Sequence, residues 1–254
     1  CLMHGIEVSY YKKLFQTTEN IIQFIEKDDI PQYLLFLEDV FPYMEKYHYQ
    51  KGMKKIIQEL QHFIKANTYG TASDRALLLD YQATLEPKTE KAIKLEKEAL
   101  AQIKETTKKN AHLVSNLHSN LGGLYRINGQ LNLAKKHMEM GISLLEQYQL
   151  LYTNDSIPQI NNYAVLLTEI QEPDLALSAL QKLAQIIKEY NSNHCLDYAQ
   201  VQESLGSICL ITANISQAKT HFKKALKIYE DIWADEPELI EEKYKKIQEL
   251  YPQA

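Results

Sequence analysis

The chain has 254 residues, 45% of them hydrophobic and 24% charged, with only 8 Gly and 7 Pro, a composition that excludes collagen-like and low-complexity classes. Its formal charge of −5 comes without a basic block, which argues against a nucleic-acid footprint, and no apolar run approaches the roughly 18 residues of a membrane span. The three cysteines, Cys1, Cys195 and Cys209, form no spaced framework, which fits a reducing cytoplasmic setting rather than secretion, and no signal peptide is visible.

From the front, residues 6–25 place Ile6, Tyr10, Leu14, Ile21, Ile22 and Ile25 on one helical stripe. Asp28-Asp29-Ile30-Pro31 reads as a helix start, with acidic groups at the positive helix end and Pro31 in the first turn. The helix over 32–47 is apolar nearly all round its first turns, and Pro42 should kink or split it. Gly52 opens a further helix bearing Met53, Ile56, Ile57, Leu60 and Phe63. Asn67-Thr68-Tyr69-Gly70 is the clearest loop, and Ser73 is the expected cap of the next helix.

Residues 1–70 are therefore expected to be a helical N-terminal region, either a degenerate repeat or an adaptor. The chain begins at Cys1, which reads as a piece of something longer.

Beyond residue 70 a unit recurs. Between Asn116 and Tyr148, Leu117, Leu121, Leu124 and Tyr125 share a helical face, Asn128-Gly129 breaks the pattern, and Leu133, Ala134, Met138, Gly141, Ile142 and Leu145 form a second amphipathic run. Gly122 and Gly123 in a helix interior cost about 1 kcal/mol each relative to Ala, tolerable where a second helix passes too close for a Cβ. Stepping by 42 from Ala134 gives Ala92, Ala176 and Ala218. The Leu121 column reads Leu79, Leu121, Tyr163, Leu205, and the Gly122 column Asp80, Gly122, Ala164, Gly206.

A fixed period of this size built from two helices signals an α-solenoid. First helices are expected at 73–85, 110–127, 156–170 and 195–212, and second helices at 88–105, 130–148, 173–190 and 215–233. Asp235-Glu236-Pro237 starts a last helix with Ile240, Tyr244, Ile247 and Tyr251 on one side. The resulting division is 1–70, four repeats over 71–234, and a capping helix over 235–254, because a solenoid needs a polar-backed end. The fold class is all-α, and no segment alternates long enough to be a strand.

Leu121, Gly122, Tyr125 and Ala134, more loosely Met138 and Gly141, and in the last unit Leu205, Gly206, Ala218, Phe222 and Ala225, resemble the tetratricopeptide repeat signature. The long period resembles the repeats of kinesin light chains and the sensor arrays of bacterial NB-ARC-type signalling ATPases, and Asn161-Asn162-Tyr163-Ala164 is close to the Asn-Asn-Leu-Ala run of the former. The first unit is degenerate, with Asp80, Ala83 and Glu96 where small, aromatic and apolar residues are expected. The resemblance implies a right-handed superhelix whose first helices line a concave groove.

No phosphate loop, HExxH, nucleophile elbow or CxxC is present, so neither catalysis nor a metal or other cofactor is expected. His112 and His118 would not share a helix face, His194 and Cys195 point apart, and Cys209 takes a core position. The 42-residue ladder places Leu77 and Tyr81; Asn116, Ser119, Asn120, Gly123 and Arg126; Asn161, Asn162, Val165 and Glu169; and Gln200, Glu203, Ser204 and Ser207 on the inner wall. Asn is a mediocre helix former, so its recurrence there wants a reason. An amide donates and accepts at once and can grip the backbone of an extended peptide; equally, it can bond the neighbouring helix and hold the pitch.

The expected function is a non-catalytic scaffold, the sensor or adaptor part of a larger cytosolic regulator, holding a peptide or protein segment without nucleic acid or membrane. Two alternatives stand beside it. One is self-assembly, for instance as a homodimer. The other is a layout that resembles the peptide-controlled Rap regulators of bacilli, some of which act on phosphorylated response regulators; there Gln16 or Gln23 would position water, though their spacing does not single them out.

Overall fold

The computed structural model describes residues 2–26, 29–46, 49–66, 70–151, 156–190, 194–235 and 237–250. Among these the chain is an all-α solenoid of twelve α-helices with no strand: α1 (Leu2–Ile21), α2 (Ile30–Lys46), α3 (Gln50–Ala66), α4 (Ala72–Thr84), α5 (Thr89–Gln102), α6 (Ala111–Ile127), α7 (Leu131–Gln147), α8 (Ser156–Glu169), α9 (Pro173–Tyr190), α10 (Leu196–Ile211), α11 (Ile215–Ile232) and α12 (Pro237–Leu250). They form two compact units, residues 1–113 and 114–254. The boundary expected near residue 70 falls inside the first. Asp28, the Asn67-Thr68-Tyr69 loop, Glu236 and Tyr251 lie outside the described residues.

In the first unit, Phe15 of α1 joins Leu37, Phe41 and Met44 of α2 and Met53, Ile56 and Leu60 of α3 in one core. A 3-10 turn, Ile22–Phe24, follows α1. The side chains of Ile6 and Tyr10 lie outside the described residues. Ile21, expected on the buried stripe, is exposed; Ile22, expected there too, is buried, together with Phe15 and Thr18, which the expected stripe does not include. Phe15, Thr18 and Ile22 follow the i, i+3, i+7 spacing of one helical face, which leaves Ile21 off it.

Pro42 does not split α2, which continues to Lys46. The buried residues Leu37, Val40, Phe41 and Met44 hold both sides of the proline, and their burial outweighs one lost N–H bond. Helix α3 starts two residues before Gly52, whose bare Cα faces the ring of Tyr49. The Tyr49 hydroxyl in turn donates to Glu19 at 3.1 Å.

Helix α4 is capped at Thr71, not at Ser73. The Thr71 Oγ1 accepts the Asp74 N–H at 3.1 Å, and the Asp74 carboxylate accepts the Thr71 N–H at 2.6 Å. Such a reciprocal box satisfies two helix-end donors, where Ser73 would have satisfied one.

The laddered helices form where the period places them, most within a residue or two at each end; the second helix of the first repeat stops at Gln102. Ala92, Ala134, Ala176 and Ala218 are each at most 1% exposed, so the small column marks close packing. The Gly122 column explains its own composition. A Cβ on Gly122 would stand 2.6 Å from Met138 Cγ and 3.1 Å from the Ala134 carbonyl, and one on Gly206 would strike the Phe222 ring. Sixteen residues after each small residue comes a large partner: Met138 after Gly122, Leu180 after Ala164, Phe222 after Gly206. The first repeat has Asp80 and Glu96 at these two places, both buried.

Gly123 is different, since a Cβ there meets nothing within 4 Å. Close approach of a second helix therefore does not account for it. Gly122→Ala is expected to cost about 1–2 kcal/mol through overpacking against backbone. Gly123→Ala is expected to stabilise by about 1 kcal/mol through helix propensity. Thermal unfolding of the two single variants checks the opposite signs; equal shifts would contradict the difference in packing.

Helices α6, α8 and α10 end in the same turn. The N–H groups of Gln130, Glu172 and Asn214 reach back to the carbonyls of Tyr125, Leu167 and Cys209 at 2.7–2.8 Å. The left-handed residue before each is Gly129, Gln171 or Ala213, with φ of 74°, 63° and 57°. Only the first of the three carries the residue that adopts this conformation without strain.

Helix α12 continues the phase of the first helices. Ile247, 42 residues after Leu205, is fully buried against Cys209, Ala218 and Phe222.

Candidate functional site: the first-helix wall

The second unit sets α6, α8, α10 and α12 side by side, joined by side-chain bonds of a regular spacing. The Gln159 amide donates to Asn116 Oδ1. Arg126 pairs with Glu169. The Ser204 hydroxyl donates to Asn161 Oδ1 at 2.9 Å. Glu203 Oε1 accepts from Lys246 at 2.6 Å. Every one of these partners lies 43 residues further on, one repeat plus one step, which carries a side chain from one helix to the facing flank of the next. Behind the first seam, Ser115 Oγ lies 2.9 Å from the Gly141 carbonyl and 2.7 Å from Gln159 Oε1, fixing the amide that reaches Asn116.

The expected wall residues thus separate into groups. Asn116, Arg126, Asn161, Glu169 and Ser204 are spent on neighbouring helices. Ser119 is buried, Asn120 is exposed and engaged within the fold, and the Ser207 hydroxyl bonds the Glu203 carbonyl of its own helix at 3.1 Å. Gly123 opens onto free space, and Val165 is exposed. Tyr81 and Leu77 do not stand on an open wall. Both belong to the first unit's core, with the Tyr81 ring 4.5 Å from that of Phe41.

Glu203, expected on the open wall, is buried instead, because α12 covers it. Its Oε2 accepts from the Tyr229 hydroxyl at 3.0 Å and from Lys243 at 3.1 Å. Burial alone would raise this carboxyl, but Lys246 and Lys243 outweigh it and hold it below its usual range.

Asn162 and Gln200 are exposed and make no side-chain hydrogen bond among the described residues. Together with Asn161, Asp197, Ile157, Pro158 and Val201 they line a notch of about 350 Å³ between α8 and α10. Asp197 is not among the sequence-expected residues. Nothing in its spacing singles it out, and only the fold shows that it shares a notch with two open amides.

On the α6 flank facing α7, His118 is buried with Nδ1 2.9 Å from His137 Nδ1. Burial, with His137 beside it, pushes His118 down to about 4, so the buried His118 ring is neutral near pH 7. Among the described residues no group of three His, Cys, Asp or Glu could hold a metal, and no helix is long and apolar enough to cross a membrane. Gln16 and Gln23 of the first unit are exposed.

Residues 156–231, the α8–α11 stretch that forms the notch, match the tetratricopeptide repeat family model. This stretch is a tetratricopeptide repeat array. A search of curated protein sequences gives no match. Among solved structures, repeats assigned to a kinesin light chain of Podosopora anserina superpose with a TM-score of 0.61 at 13% identity, covering 80% of this chain and 98% of theirs. PlcR of Bacillus thuringiensis, in complex with the peptide PapR7 and DNA, gives 0.57 at 16% identity, covering 89% and 74%. A Rap protein complexed with Competence and Sporulation Factor gives 0.53 at 14% identity, covering 98% and 77%. At these identities the likeness is one of fold alone.

Proposed function

We propose that the second unit holds an extended peptide or protein segment against the wall of α8 and α10, as the sensing or adaptor part of a larger cytosolic regulator. The observation that carries this reading is the placement of Asn162 and Gln200. Neighbouring amides of the wall are consumed by lateral bonds, whereas these two stand open on either side of one notch. An open amide offers a donor and an acceptor, which matches the N–H and C=O of an extended backbone whatever its side chains. Exposed Val165, three residues along α8 from Asn162, supplies an apolar contact beside it. The peptide bound by PlcR supports the reading as a precedent on the same fold.

Retention of a randomised hexapeptide pool by the immobilised protein tests this. Asn162→Ala is expected to lower retention about five- to tenfold, one or two lost hydrogen bonds, with the melting temperature unchanged. Asn161→Ala, which loses the Ser204 bond, is expected to lower the melting temperature first. Undiminished retention by the Asn162 variant would overturn the proposal.

A further inference from the structure

We infer that the notch between α8 and α10 selects a cationic group, a Lys or Arg side chain or a peptide N-terminal ammonium, with Asp197 as its counter-ion. The inference rests on the peptide-holding proposal and names the chemistry that the segment must carry. Seven residues line the notch: Ile157, Pro158 and Val201 form its apolar part, Asn161, Asn162 and Gln200 its neutral polar part, and Asp197 is its one ionisable group. The volume of about 350 Å³ is room for one long side chain with part of its backbone, not for a folded domain.

The other charged side chains of α8 and α10, Glu169 and Glu203, are already paired. Glu169 pairs with Arg126, and Glu203 holds both Lys243 and Lys246. Asp197 has no such partner among the described residues and is half-buried, so its carboxylate is partly shielded from water. Apolar walls beneath a lone carboxylate suit the long stem and charged head of Lys or Arg, which bury the one and pair the other. A carboxylate in the first turn of α10 also interacts favourably with the positive helix end. That effect stabilises the helix but gives no preference among ligands, so ligand charge separates the two roles.

Three hexapeptide pools serve as probes, identical except for one fixed Arg, one fixed citrulline or one fixed Glu. The wild-type chain is expected to retain the Arg pool about tenfold over the Glu pool at low salt, with citrulline between them and the ratio falling as salt is added. Asp197→Asn is expected to bring the three pools to parity. Gln200→Lys, three residues along α10 from Asp197 and outside the first turn, sets a competing ammonium beside the carboxylate and is expected to bring the pools to parity without relying on the fold tolerating a change at Asp197. Equal retention of all three pools by the wild type would overturn the charge selection and leave peptide holding intact. Failure to retain any pool would overturn both.

Discussion

Glu96→Gln is expected to stabilise the first unit by about 3 kcal/mol at pH 7 and to remove most of its dependence on pH. Glu96 of α5 is buried against Asp80 of α4. Burial, and then the charge and hydrogen bond of Asp80, push its carboxyl up to about 11 from an ordinary 4.5. The proton therefore stays on in the folded chain while the unfolded chain releases it above about pH 4.5. Stability is fully present below that pH and falls by about 1.4 kcal/mol per unit as pH rises toward the folded value. Glutamine keeps a donor for Asp80 and has no proton to lose. Amide exchange in α4 and α5 at pH 5, 7 and 9 reads the effect. A wild-type chain whose protection does not decline with pH, or a variant that declines equally, would refute the shared proton.

Glu203→Ala should release α12 from the rest of the second unit at a cost of about 3 kcal/mol. The substitution removes the acceptor of Tyr229, Lys243 and Lys246 together. It leaves a buried tyrosine hydroxyl without its bond, and Lys243, which sits 5.0 Å above the Tyr229 ring, without its carboxylate. The acid response has the opposite sign to that of Glu96. The folded Glu203 carboxyl is held below 4.5, so its contribution is present above that pH and is lost as pH falls through the lowered value. Mild acid thus favours the first unit and stronger acid loosens the last helix of the second. Amide protection in α12 should collapse in the variant while α6–α10 stay protected; unchanged α12 protection would show that burial of Ile247 alone holds the helix.

The helical architecture was legible because its signal is redundant. Four alanines at one spacing, with alternating runs of apolar residues between Pro and Gly stops, leave few other folds open. Ala92, Ala134, Ala176 and Ala218 are buried as expected, and Gly122 faces a second helix. Side-chain placement was less legible, because helical spacing tells which residues share a face but not what covers that face. Tyr81 has the wall's phase and packs on Phe41. Glu203 has the same phase and lies under α12. Asp80 and Glu96 read as decay of the repeat pattern, whereas the structure makes them one buried pair across the same helix contact. A signal for the lateral bonds was present in the sequence: polar residues with complementary groups recur at a spacing of 43, one more than the period. The Asn residues stand out as unusual for a helix, but which of them are open depends on partners one repeat away.

Three seams run between the four first helices of the second unit, and each is pinned by at least one of the 43-residue pairs. Packed helices lie about 8–10 Å apart, and an extended strand advances about 3.3 Å per residue. Anything stretched across these helices would therefore meet a similar chemical landmark at about every third residue. Its own sequence would be read in triplets, with two positions in each left largely to chance.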